Sequence, residues 1–499
     1  MPISQPPRLL IEKPLLKHPI FWFLVVLLAL RITYVIQTDL ALFYDEAYYH
    51  FWSLTPDWGY YSKPPMVAWV ITISTQIFGH FPEWTLKIGA SVLYFFTALV
   101  IFDLGRRLFD AVTGWVAAIV FFTSPLIGFN SLFITTDAPL LLFWALTVWF
   151  FVLALQTDRL IYWAGAGIVC GLGLMSKYTM GVLMLALFTF LLLSANHRAK
   201  LSQPGPWLAV ALSTLFFLPN ILWNISHDFI SLRHLSEISG LEKELFHPNK
   251  LVEFLAGQVF VFGPVAFWLF IRLLFRKSPH DNFRILWISA LAMFALISLL
   301  ALLARAHLNW AAATYVTASL LVAYAITHTF RYKLLAWFVG VNIVSVIVFY
   351  FYQSILGLLG VEPSKSNDPF HRVQGWREVT EKTETVVPKP RDYVWVSDSR
   401  KLLSYAHYYL SDFAKGEVLQ VRGFNVDGII KDQYELNWDL AKVPTNKSMI
   451  FLAEEPKKLG GCFKSVEDLG EVTQQTYPTL QRSVYLYRVE GFIGYGCHP

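Results

Sequence analysis

The stretch Pro19-Ile-Phe-Trp-Phe-Leu-Val-Val-Leu-Leu-Ala-Leu-Arg31-Ile-Thr-Tyr-Val35 carries a single charge, and after seven intervening residues comes Phe43-Tyr-Asp-Glu-Ala-Tyr-Tyr-His50. A run of that length and composition is what a helix needs to cross a hydrocarbon core about 30 Å thick. Acids placed so soon after it are costly to bring near a bilayer, so they read as residues with a task. No small-residue cleavage site follows the run, and with Lys13 and Lys17 ahead of it the segment reads as an uncleaved first span.

The rest of the chain repeats this chemistry. Of its 499 residues 55% are hydrophobic, 16% aromatic and only 15% charged, and the mean hydropathy is +0.48. Soluble domains average about 25% charged residues. About half of all Asp, Glu, Lys and Arg fall after Val361, so residues 1–360 read as a membrane region and 361–499 as a soluble domain. A water-soluble enzyme is excluded. The net charge of +5 does not point to nucleic acid, because the excess Lys and Arg lie in short loops between apolar segments.

A ruler of about 20 apolar residues gives about eleven spans, near 19–37, 84–104, 111–132, 139–156, 160–176, 179–195, 206–225, 252–274, 285–304, 310–328 and 334–358. Met66 to Gly79 is apolar but short, between Pro64-Pro65 and His80-Phe81-Pro82, and fits an interfacial or re-entrant helix better. With the N-terminus inside, the inner loops hold Arg106 and Arg107, Arg159, Arg198 and Lys200, Arg276 with Lys277 and Arg284, and Arg331 with Lys333. That is the positive-inside pattern. It leaves two long outer loops, 37–83 and 226–250, and puts the C-terminal domain outside.

Short β-type runs at Tyr393–Ser397, Glu417–Arg422, Met449–Glu454 and Ser483–Arg488, with a helical pattern from Ser399 to Leu410, predict a small α/β domain. Cys170 falls in an apolar segment. Cys462 and Cys497 lie in the polar tail, where they form a disulfide in an oxidising space or remain two free thiols. There is no internal repeat and no nucleotide-binding glycine loop.

Sorted by predicted side, the outer ends of the spans collect Asp45, Glu46, His50, Lys63, Asp137, Lys177, the group His227, Asp228, Arg233 and His234, and Arg305 with His307. Carboxylates that can take a proton and cations that can hold phosphate thus share one depth, as a site between helices requires. Lys63 stands against the rigid corner Pro64-Pro65. Asp137 precedes Ala-Pro at a helix start, where capping and a role in the site are compatible. Arg305 is a further phosphate candidate and His307 with Asn309 suit sugar hydroxyls. The spacing of 227–234 matches no strong metal motif and reads as an acceptor-binding loop.

Asp45-Glu46 after the first span, Tyr61-Ser-Lys63-Pro-Pro, Gly105-Arg-Arg-Leu-Phe-Asp110, Thr135-Thr-Asp137-Ala-Pro and Ser176-Lys177-Tyr, followed by a soluble tail, resemble the GT-C glycosyltransferases. The likeness is to the bacterial branch that includes the lipid A aminoarabinose transferase and the protein mannosyltransferase relatives. It is strongest from about Phe43 to Tyr178 and weak in the tail.

The resemblance implies a sugar donor on a polyprenyl (undecaprenyl) phosphate, an acceptor on lipid A or another envelope glycan, and a multi-pass protein of the bacterial inner membrane with a periplasmic C-terminal domain. It implies Asp45 as the catalytic base, Asp137 as the acid of the second outer loop and Lys63 on the donor phosphate; Lys177 and Arg305 are further phosphate candidates by their place at the outer ends of the spans. Glu46, Tyr61, His307 and Asn309 would bind substrate. Aminoarabinose transferases have Glu before Lys-Pro-Pro, implicated in binding a metal, where this chain has Ser62. Neither a metal site nor that sugar is therefore carried over, and no cofactor is required. The competing class is a transporter or flippase of a lipid-linked or small polar substrate, which would favour broken helices in matching halves.

Overall fold

The run that opens the argument forms the helix Pro19–Gln37 in the computed structural model of the chain, which describes residues 14–239, 246–276, 280–329 and 332–497. Lys13, Lys277 and Arg331 of the expected N-terminal and inner-loop pattern, and 240–245 of the second outer loop, lie outside those residues. The chain divides into two compact units. One holds residues 1–35, 63–67 and 87–350; the other holds 36–62, 68–86 and 351–499.

The first unit is helical. Six helices among the described residues of the whole chain, Pro19–Gln37, Trp84–Leu108, Asp137–Thr157, Pro204–Ser226, Asp281–Leu303 and Lys333–Tyr350, are long and apolar enough to cross a membrane. This is a multi-pass membrane protein. The expected eleven spans are not all single long helices. The 252–274 span is two helices, Pro248–Phe262 and Pro264–Leu274, bent by 120° at Gly263, whose φ of +89° only glycine adopts freely. The 111–132 span breaks into Ala111–Phe122 and Pro125–Asn130. Those expected at 160–176 and 179–195 are the shorter helices Leu160–Leu174 and Met180–Leu193. At 1.5 Å per residue these last two fall short of the full hydrocarbon thickness.

Apolar solvent supplies no hydrophobic force between helices, so close approach through small residues does that work. A Cβ on Gly167 would lie 2.4 Å from the Ala209 carbonyl, and one on Gly171 would lie 2.8 Å from that of Ser213. Helix Leu160–Leu174 therefore packs backbone to backbone on Pro204–Ser226. Arg31, buried in the first helix, donates to the Phe122 carbonyl at 2.6 Å and lies over the Phe122 ring.

The second unit carries a five-stranded sheet: β1 (Val394–Ser397), β2 (Gln420–Gly423), β3 (Met449–Ala453), β4 (Phe463–Tyr477) and β5 (Leu480–Phe492), in the order β2-β1-β3-β5-β4. β1 pairs in parallel with β2 and β3, and the hairpin β4-β5 adds antiparallel to β3. This is the expected α/β domain with one strand added. β4 lacks an apolar alternation because it is an edge strand, exposed along most of its length. Cys462 and Cys497 are joined by a disulfide in the same core as Val394, Phe451 and Val489. The unit also contains 36–62 and 68–86, so most of the first outer loop folds with the C-terminal domain.

Candidate active site

In the first unit the site is built on Asp137. It opens helix Asp137–Thr157, where a carboxylate complements the helix dipole, and it is 2% exposed. Its Oδ1 accepts from Lys177 Nζ at 2.7 Å and its Oδ2 from Asn309 Nδ2 at 2.9 Å. Lys177 is carried by the turn between Leu160–Leu174 and Met180–Leu193, and Asn309 by the short 3-10 turn Leu308–Ala311. The neighbouring Tyr178 hydroxyl donates to Asn220 at 3.3 Å, which ties the turn to helix Pro204–Ser226.

The Lys63-Pro64-Pro65 corner reaches the same turn, because the Met66 N–H donates to the Met175 carbonyl at 3.0 Å. Three of the expected residues, Asp137, Lys177 and Asn309, thus come together in this unit, and the corner that carries Lys63 is tied to the turn that carries Lys177. Arg305 and His307 are exposed on the segment ahead of Asn309, and the His307 ring meets Trp310 at 5.2 Å. Both carboxylate oxygens of Asp137 are engaged and shielded from water, an arrangement that fixes Lys177 and Asn309 in place.

In the second unit Asp45 lies on helix Tyr44–Ser53 with its side chain 33% exposed and 3.8 Å from Arg400. Glu46, 1% exposed, accepts from the Phe43 N–H at 2.9 Å. Its carboxylate serves the helix start. Tyr61 is 3% exposed, and its backbone N–H donates to Gln433 Oε1 at 2.6 Å. The Gln433 N–H in turn donates to the Tyr48 hydroxyl, and the Leu42 N–H to the Tyr409 hydroxyl.

Arg377 bridges Asp39 and Glu83. The acid-bearing helix is thus held by side chains from the soluble domain, none of which its own sequence foretells. His50 is fully buried with its Nε2 2.9 Å from His80 Nδ1, and burial pushes its pKa well below the usual histidine range. It is a neutral core histidine.

Of the expected acceptor loop, the His227 ring stacks on Trp223 at 4.0 Å, and Asp228 and Phe229 have φ of 53° and 54°. Among the described residues no group of three or more His, Cys, Asp or Glu is placed to hold a metal ion.

Residues 62–223 match the family described as dolichyl-phosphate-mannose-protein mannosyltransferase. A lipid A galacturonosyltransferase of Rhizobium johnstonii is 27% identical over 449 residues, 88% of this chain and 90% of that one. An undecaprenyl phosphate-alpha-4-amino-4-deoxy-L-arabinose arabinosyl transferase of Pseudomonas savastanoi pv. phaseolicola is 25% identical over 165 residues, 32% of this chain and 31% of that one. Crystal structures of ArnT from Cupriavidus metallidurans share the fold. The form bound to undecaprenyl phosphate aligns with a TM-score of 0.63 at 13% identity, over 93% of this chain and 97% of that one. The apo form gives 0.60 at 14% identity over the same shares.

The apolar spans, the family match over 62–223 and the sugar-transferase relatives together make this chain a membrane glycosyltransferase that uses a lipid-linked sugar donor. Its fold is similar to that of ArnT.

Proposed function

We propose that the protein is an inverting glycosyltransferase that moves a sugar from an undecaprenyl phosphate donor to a hydroxyl or phosphate of lipid A at the outer face of the bacterial inner membrane. Its N-terminus is cytoplasmic and its C-terminal domain periplasmic. The relative matched over nearly its full length is named for galacturonate transfer to lipid A, which makes a uronic acid the leading donor sugar.

Asp45 takes the acceptor proton while the acceptor oxygen attacks the anomeric carbon opposite the phosphate. The bond between that carbon and the phosphate oxygen breaks, and polyprenyl phosphate leaves with the bonding pair. General-base help is worth about 10²–10⁴-fold, so charge stabilisation must supply much of the rest. Lys63 meets the departing phosphate, with Lys177 and the exposed Arg305 as further cations. Asp137 holds Lys177 and Asn309 in position rather than taking a proton.

The observation that carries this reading is the meeting of the Lys63 corner and the Lys177 turn around one buried carboxylate. A transporter built from inverted repeats would pair broken helices between its halves; among the described residues one bent pair is present. Purified protein given a uronosyl undecaprenyl phosphate and lipid A tests the proposal. Sugar transfer with release of undecaprenyl phosphate supports it, and translocation of the donor without transfer contradicts it.

A further inference from the structure

The second unit contains a polar cavity of about 610 Å³, within the size range of small-molecule sites. Its wall includes Tyr44, Asp398, Arg400, Lys401, Glu454 and Lys457. Tyr44 immediately precedes Asp45, so the cavity adjoins the proposed base along the chain.

The cations of this wall are not equivalent. Lys401 bonds Glu454 at 2.5 Å and Lys457 bonds Asp398 at 2.7 Å, so each lysine already has a close carboxylate. Arg400 stands 3.8 Å from Asp45, beyond hydrogen-bond reach, with its side chain 30% exposed. Its guanidinium lies over the Tyr44 and Tyr48 rings at 5.5 and 5.6 Å, contacts that fix its plane without supplying a full counter-ion. Asp432 lies near it as a second carboxylate, yet a planar fork of five donors, partly exposed at the wall and beyond hydrogen-bond reach of Asp45, keeps donors suited to two-point binding of an oxyanion. The aromatic Tyr44 wall and the surrounding polar pairs suit the ring and hydroxyls of a sugar.

We infer that this cavity is a subsite for an anionic sugar and that Arg400 grips its oxyanion. The inference rests on Asp45 as the base and deepens that reading. An anion on Arg400 weakens the pull of that cation on Asp45 and so raises the basicity of the carboxylate. Two substrates can carry such a group: a transferred uronic acid through its carboxylate, or the acceptor through a sugar phosphate.

The test is kinetic, with two pairs of substrates, one of donors and one of acceptors, on full-length wild type, Arg400→Gln and Arg400→Lys. Galacturonosyl and galactosyl undecaprenyl phosphate are each offered with lipid A, and galacturonosyl donor is offered with lipid A before and after phosphatase treatment. A charged hydrogen bond is worth about 10–100-fold. Wild type is expected to prefer the anionic member of one pair by about that factor in kcat/KM, Arg400→Gln to lose that preference, and Arg400→Lys to keep part of it.

If the preference lies between donors the subsite holds the transferred uronate; if between acceptors, the acceptor phosphate. An Arg400→Gln variant whose kcat/KM falls by one common factor for all substrates, or wild type with no preference in either pair, overturns the inference. Loss of activity in Asp45→Asn alongside such a result leaves the parent reading standing, whereas full activity in Asp45→Asn defeats the parent reading itself.

Discussion

Lys177 Nζ lies 2.7 Å from Asp137 Oδ1, with the lysine side chain 16% and the aspartate 2% exposed. Two charges withdrawn from water repay their desolvation only while both are present. Removing one leaves the other buried and unmatched. Asp137→Ala and Lys177→Met should each destabilise the purified protein by about 3–5 kcal/mol, read as a loss of denaturant or thermal resistance in detergent. The double variant Asp137→Leu/Lys177→Met should recover part of that loss. Additive losses would show that the two side chains are not coupled.

Arg377 joins Asp39 to Glu83 Oε1 and is only 15% exposed. It closes the ends of the loop that carries Asp45 onto the helix Trp376–Val386. In Arg377→Ala, amide exchange over 39–54 and 79–86 should quicken by about tenfold or more, the equivalent of one or two charged hydrogen bonds. Exchange in β1 and β3 should change little. Equal acceleration throughout the second unit would mean that Arg377 supports the whole domain instead.

Glu435 is raised to about 8, first by burial and then by the neighbouring Asp432, which burial itself raises to about 6. Both carboxyls therefore hold protons in the folded state at pH values where the unfolded chain has released them. Stability contributed by the protonated forms is complete below the ordinary values of 3.8 for Asp432 and 4.5 for Glu435 and is lost as pH rises through about 6 and about 8. Glu435→Gln retains an acceptor for the Lys431 N–H and cannot ionise. Its thermal midpoint should fall less than that of wild type between pH 6 and pH 9; equal slopes would remove Glu435 from the account.

The disulfide Cys462–Cys497 closes 35 positions of chain over the sheet core. A loop of that length confers about 3–4 kcal/mol in the chain-entropy picture. Cys462→Ala/Cys497→Ala should lower the stability of the second unit by about that amount, and the unreduced protein should give one disulfide-linked peptide pair by mass spectrometry. Alkylation of both thiols without prior reduction would contradict the bond.

Much of the first unit was legible because bilayer length and charge exclusion act locally. Pro19–Gln37, Trp84–Leu108 and Asp281–Leu303 announce themselves as apolar runs, and Asp45, Lys63, Asp137 and Lys177 stand out as charges at the ends of such runs. The break at Gly263-Pro264 was written in a helix-ending dipeptide, yet its apolar flanks read as one continuous span. β4 was hidden because an exposed edge strand needs no apolar face. Arg400, Arg377, Tyr409 and Gln433 were not legible. In a tail where charged residues are common, only the fold distinguishes the few that reach the Asp45 helix. Glu46, the acid beside the candidate base, has a use its sequence did not show: it also accepts from the backbone at the helix start.

In the proposed mechanism Asp45 removes the acceptor proton while Lys63 supports the departing phosphate. Single-turnover sugar transfer from a polyprenyl-phosphate donor by wild type, Asp45→Asn and Lys63→Ala measures it most directly. The account predicts a loss of about 10²-fold or more in Asp45→Asn and of similar order in Lys63→Ala, with both variants folded. Transfer at the wild-type rate in both would contradict it.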